Sequence, residues 1–259
     1  MSQSQYPDPY RTPATPLSPT APGGPSVLSP GVATSPEALG VRPDARLAAA
    51  FLTQAFVWMF AGLLLTAGVA AVVRSDERLL AFASGNFFIL FIIQLGIVIG
   101  ITAAINRISA VAALGLFFVY AASLGITMGL IVASYTTGSV VSAFLSASAM
   151  FGAAAIYGHV TKRSLARMGS LLFMGLIGLL VAMLLNIFLR SDTVTWLISI
   201  VGVVLFTALT AYDVQRIQSG ALAAQTGSME KAAVVGALQL YLDFINLFLF
   251  MLRLLGGRN

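Results

Sequence analysis

The sequence predicts an all-α, polytopic membrane protein of seven transmembrane helices, and three observations carry that prediction. Apolar residues make up 58% of the 259 residues, charged residues only 9%, and the mean hydropathy is +0.93. A soluble domain carries about 25% charge, so the outer surface of this chain must face lipid rather than water. Apolar runs then follow one another with short polar breaks, each near the roughly 20 residues that a span needs. Finally, no run contains proline, because all ten prolines lie within residues 1–43.

Those first 43 residues alternate proline with Ser, Thr, Gly and Ala, as in "DPYRTPATPLSPTAPGGPSVLSP". Such a segment buries too little apolar surface to offset its ordering entropy, which predicts a disordered cytoplasmic tail. It lacks the basic start and the apolar run of roughly 7–15 residues that mark a signal peptide. Residues 44–259 are expected to form the transmembrane domain. Its seven runs cover 48–73, 87–105, 110–133, 139–158, 170–189, 194–217 and 233–255. A helix satisfies every backbone group within its own segment, which is why each run reads as a spanning helix. Small residues recur inside them, as in "ASLGITMG" at 122–129 and "SASAMFGAAAIYG" at 146–158. In lipid, close backbone approach at such residues is how helices pack, so they read first as packing positions.

Orientation follows from Lys and Arg, which cytoplasmic flanks retain. With the N-terminus inside, the inner face collects Arg11, Arg42, Arg46, Arg107, Lys162, Arg163, Arg167, Arg216 and Lys231. The outer face holds Arg74, Arg78, Arg190, Arg253 and Arg258. These basic residues sit at the ends of apolar runs and form no cluster with interleaved aromatics, so the net charge of +5 does not imply a nucleic-acid partner. Cysteine is absent, which excludes disulfides and thiolate metal sites, and one histidine makes a zinc site a poor reading. That histidine, His159, stands at an inner helix end beside Lys162 and Arg163 and reads as interfacial. No run resembles a phosphate-binding loop.

An ionised group near the bilayer centre costs several kcal/mol, so it must be paired, hydrated or neutralised. In the seventh run Asp243 falls near mid-membrane. Gln239, Asp243, Asn246 and Arg253 stand at i, i+4, i+7 and i+14, which makes one face of that helix polar and the rest apolar. That face is expected to line the bundle interior. In the sixth run Asp213 follows Thr210 by one turn, close to the cytoplasmic end, and a local pair with Arg216 at i+3 is the competing reading. If the two carboxyls approach each other they cannot both ionise cheaply and would share a proton. Counting 1.5 Å per residue from the helix ends leaves Asp243 deeper than Asp213 by roughly two turns. Arg107, at the inner end of the second run, is a candidate cation for the pair, with a snorkelling interfacial arginine as the plainer reading. Gln94 is a buried amide in the same run.

Three stretches in order resemble the Bax inhibitor-1 family: "AAIYGHVTKRSLARMGSLL" at 154–172, "TALTAYDVQRI" at 207–217 and "GALQLYLDFINLFLFMLRLLG" at 236–256. The resemblance covers about residues 47–256. It implies a seven-helix fold whose last helix is surrounded by the other six. In bacterial members that act as pH-sensitive calcium leaks, an aspartate on helix six and one on helix seven form a hydrogen-bonded dyad, and Asp213 and Asp243 match them. An arginine on helix two bonds to the dyad in the closed form, and Arg107 is the matching position. Where many members carry a glutamate in the second helix, this chain has Gln94, followed by Leu95 and Gly96.

The expected function is therefore a cation leak, for calcium first of all, gated by protonation of Asp213 and Asp243. Thr210, Arg216, Gln94, Gln239 and Asn246 would form the pore or the surroundings of the dyad. The two carboxylates would hold calcium in passing, since calcium takes hard oxygen ligands. No cofactor is expected, and the partners are the lipid bilayer, a cation and other membrane proteins, in a bacterial inner membrane. The alternative is an interaction protein that modulates membrane proteases or stress and cell-death factors. An intramembrane aspartyl protease would need Gly-x-Gly before the second aspartate, whereas Leu240, Tyr241 and Leu242 precede Asp243, so no enzyme is expected.

Overall fold

In the computed structural model the described residues are 45–257, with side chains from residue 49. The expected tail, 1–43, lies outside them. The chain forms nine α-helices among the described residues: α1 (Ala45–Ser75), α2 (Glu77–Gly85), α3 (Phe87–Ala104), α4 (Ala110–Ala133), α5 (Thr137–Val160), α6 (Gly169–Leu189), α7 (Asp192–Gln218), α8 (Ala221–Thr226) and α9 (Met229–Leu255). A short 3-10 turn, Ala166–Met168, leads into α6. Seven of these helices, all but α2 and α8, are long and apolar enough to cross a membrane. The sixth and seventh spans of the sequence are thus α7 and α9.

Polar residues set the helix starts. Ser109, Thr136 and Ser191 each accept a backbone N–H of the first turn of α4, α5 and α7. Asp76 accepts the N–H groups of Arg78 and Leu79 and so starts α2, a helix that the hydropathy pattern does not announce. Gly220 and Gly227, at φ 73° and 66°, bracket α8; both positions lie in the left-handed region that only glycine occupies without strain.

α9 is the central helix. Over its most apolar stretch 72% is buried by the rest of the chain, against 11% for α3 and for α6. It packs on α1, α4, α5, α7 and α8, while α3 leans on α4 and α6 on α7. The expected ring of six is therefore two-tiered: four spans enclose α9 and the second and fifth spans stand outboard. The physical reason lies in their sequences. "FFILFIIQLGIVIG" and "GLIGLLVAMLLNIFL" carry one amide each, Gln94 and Asn186, and are otherwise apolar on all sides, so lipid suits most of their surface.

Small residues bring the inner helices together. A Cβ at Gly125 would lie 2.6 Å from the Val69 Cβ, and one at Gly129 2.7 Å from the Val73 Cβ, which fixes the parallel pair α1 and α4. Gly158 of α5 lies directly on the Ala211 carbonyl of α7.

Candidate functional site

The contacts between α7 and α9 set the depth of the two aspartates. Gly236 lies under Ile217, and Gly202 lies under the Phe250 ring. Antiparallel helices in that register bring Asp213 level with Leu240 and Asp243 level with Thr210. The depth difference is then about three residues, or roughly 4.5 Å, in place of the two turns counted from the sequence. That count took Lys231 as the membrane edge. Instead, α8 folds back beside α9, and residues 232–238 are all buried in protein. The first turns of α9 thus belong to the bundle.

Asp213 and Asp243 are 7% and 5% exposed, and the two carboxyls are near enough to feel each other electrostatically. Asp243 Oδ2 is buried with no hydrogen-bond partner among the described residues, and so is Gln239 Oε1 one turn before it. Two orphaned acceptors on adjacent turns of the central helix mark a place that can take a proton, a cation or water, because a buried acceptor without a partner is costly.

The other expected members distribute differently. Thr210 is fully buried at the level of Asp243, and its hydroxyl donates back to the Phe206 carbonyl at 2.8 Å. Asn246 is half-buried and its Nδ2 donates to the Leu242 carbonyl at 2.8 Å. Arg216 influences Asp213 electrostatically, but its guanidinium bonds the Gln225 side chain on α8. A helix-end arginine half in solvent does better on an exposed amide than on a buried carboxylate. Arg107 is exposed on the turn after α3, where its own backbone N–H bonds the Ala104 carbonyl at 2.7 Å. It forms no clamp on the dyad in this arrangement, because the second span stands outboard of α4. For the same reason Gln94 is not part of the dyad surroundings. Its Nε2 donates to the Ser123 carbonyl at 3.0 Å and to Thr127 Oγ1 at 2.8 Å, pinning α3 to α4. Arg253 is exposed over the Phe250 ring, 5.8 Å from its centroid.

Two polar clusters escaped the sequence. On the opposite side of α9, Thr66 Oγ1 donates to the Ala121 carbonyl at 2.8 Å and lies 2.6 Å from the Tyr241 hydroxyl. Thr66 has one hydroxyl hydrogen, so Tyr241 donates to it, and α1, α4 and α9 meet in one chain of hydrogen bonds. Phe117 and Tyr120 pack edge-on against the Tyr241 ring, at 5.4 and 5.9 Å. The second cluster is a clasp. Gln215 Oε1 accepts from the Leu165 N–H at 2.7 Å and its Nε2 donates to the Arg163 carbonyl at 2.9 Å. It ties "TKRSLARMG" to "AYDVQRI", two of the three stretches that carry the resemblance.

Comparison with known proteins agrees with these elements. Residues 48–259 match the family model described as "Inhibitor of apoptosis-promoting Bax1". The inner membrane protein YbhL of Escherichia coli is 41% identical over 225 residues, 85% of this chain and 96% of its own length. A protein of Borreliella burgdorferi is 43% identical over 214 residues, 81% of this chain and 92% of that one. One of Deinococcus radiodurans is 39% identical over 210 residues, 81% and 91% of the two chains. With the family model covering all of the spans, this chain is a membrane protein of the Bax inhibitor-1 family.

Proposed function

We propose that the protein is a pH-sensitive cation leak of a bacterial inner membrane, with calcium as the principal ion and Asp213 and Asp243 as the gate. The observation that carries this reading is the unpartnered Asp243 Oδ2 on the most enclosed helix, with a second buried carboxyl beside it on α7. Evolved membrane interiors keep such groups where a proton or ion passes. Among the described residues no group of three or more His, Cys, Asp or Glu could hold a metal ion. Two carboxylates fall short of the six to eight oxygens of a resident calcium site, which suits an ion in transit.

Gating follows from charge. With both carboxyls ionised, like charges face each other in a medium of low dielectric, and one added proton relieves the repulsion. The electrostatic balance between α7 and α9 changes with that proton, and the central helix is the two-state element it biases. In this reading the described arrangement is the unclamped one, with Arg107 away from the pair. The inner-membrane location comes from the relative YbhL, which is named an inner membrane protein.

Calcium flux through the reconstituted protein tests this across mildly acidic to mildly alkaline pH. The pH dependence is expected to collapse in Asp213→Asn and in Asp243→Asn, and an unchanged profile in both would refute the gate. Arg107→Gln is expected to raise flux at neutral pH by removing the clamp.

The family description names an inhibitor of another protein, which favours a second role as an interaction partner. Deleting residues 1–43 separates the two: loss of a cellular phenotype with flux intact would support the interaction role.

A further inference from the structure

A lateral cleft of about 560 Å³ opens between α1 and α5, far from the aspartate pair in chemistry but floored by the same central helix. Phe244, Ile245 and Phe248 of α9 form its floor, and the α1 wall is apolar from Leu63 to Ala71 except for Thr66. The volume lies within the roughly 300–1,000 Å³ of small-molecule sites. Its one deep polar group is Thr66, whose hydroxyl already donates to Ala121 and accepts from Tyr241. Nothing inside therefore asks for a polar ligand.

The mouth is different. Arg74, in the last turn of α1, lines the cleft with Ser75, and one of its five donors reaches Thr137 Oγ1 at 3.0 Å. Asp76, the nearest acid in sequence, directs its carboxylate to the N–H groups of Arg78 and Leu79. The guanidinium keeps donors for an anion and has the planar fork that suits a phosphate. Leu63 to Arg74 is eleven residues, about 17 Å of helix, close to half of the roughly 30 Å hydrocarbon core. An apolar slot half a bilayer deep with a cation at its rim has the dimensions and charge of one lipid.

We propose that this cleft binds an anionic phospholipid of the leaflet at the α1 C-terminal end, one acyl chain lying along Phe244 and Phe248 and the phosphate on Arg74. Occupancy then bears on the gate, because the chain rests on the residue that follows Asp243. The site itself does not depend on the flux reading.

The test uses the full chain in vesicles with a tryptophan reporter in the cleft. Trp58→Phe and Trp196→Phe remove both native tryptophans, and Phe248→Trp supplies the reporter. Vesicles contain brominated-chain phosphatidylglycerol or phosphatidylcholine. Half-maximal quenching is expected at about fivefold lower mole fraction of the anionic lipid, the effect of one basic side chain at the membrane surface. Arg74→Gln is expected to erase that preference, and Ala67→Phe, at an exposed position on the cleft wall, to weaken quenching by both lipids. Equal quenching by the two lipids, or a preference that survives Arg74→Gln, overturns the proposal. So does an unquenched reporter in a protein that cross-links in pairs through this cleft, which would assign the surface to a second copy of the chain.

Discussion

At the scale of single residues, the hydroxyl chain from Tyr241 through Thr66 to the Ala121 carbonyl has two unequal links. Tyr241→Phe removes a donor whose loss leaves Thr66 still bonded to Ala121, so it should cost only about 1 kcal/mol, the worth of one hydrogen bond between membrane helices. Thr66→Val strands the Tyr241 hydroxyl in a buried place, while the Ala121 carbonyl keeps the N–H of its own helix, and should cost more, about 1–3 kcal/mol. The double variant should fall well short of the sum, because Phe at 241 has no hydroxyl left to strand. Unfolding midpoints of the four proteins in mild detergent check this; additive losses would mean that the 2.6 Å contact is not a working bond. Neither residue was legible in the sequence, since a threonine and a tyrosine in apolar runs look ordinary and only the fold reveals that they meet. Asp243 was legible, because a charge in mid-span with Gln239 and Asn246 on its face has few other readings. Asp213 was not, since a carboxylate three residues before Arg216 also fits a surface pair. In the structure the Arg216 guanidinium bonds Gln225 on α8.

Among elements, the seven long helices were readable from hydropathy to within a few residues, whereas α2 and α8 were not. At nine and six residues they are too short for an apolar period to show, and only their punctuation marks them: Asp76 before α2, Gly220 and Gly227 around α8. Missing α8 had a consequence, because its fold-back lets α9 start inside the bundle and removes most of the expected depth gap between the aspartates. The packing of α5 on α7 gives an internal comparison. Gly158 lies on the Ala211 carbonyl, while a Cβ at Gly152, on the same helix, would meet nothing within 4 Å. Gly158→Ala must push α7 and its Asp213 aside and should cost about 1–3 kcal/mol, the usual range for overpacking. Gly152→Ala should be neutral or stabilise by up to about 1 kcal/mol through helix propensity. Thermal midpoints, with flux measured alongside, check the pair; equal effects would mean that α5 and α7 are not in close backbone contact.

For the whole molecule, contacts at the helix ends sort the chain into two faces without reference to charge. Thr136 N–H bonds the Gly257 carbonyl at 3.3 Å, and Arg74 bonds Thr137, so the ends of α1, α4 and α9 share a face. Gln215 joins the segment after α5 to the end of α7 on the other. On this second face stand Arg107, Lys162, Arg163, Arg167, Arg216 and Lys231, against Arg74, Arg78, Arg190 and Arg253 on the first. Six basic residues against four predict a cytoplasmic second face under the retention of positive flanks. Asp213, a little over one turn from the end of α7, is the aspartate nearer that face, so the proposed gate is predicted to respond to cytoplasmic pH. The chain has no cysteine, so single cysteines can map this directly. In intact cells a membrane-impermeant maleimide should label Ser84→Cys and Gly257→Cys. Ser164→Cys and Ser219→Cys, exposed on the opposite face, should react only after the membrane is opened. The reverse pattern would turn the molecule over, place Asp213 near the outer face, and make external acidity the signal that reaches the dyad first.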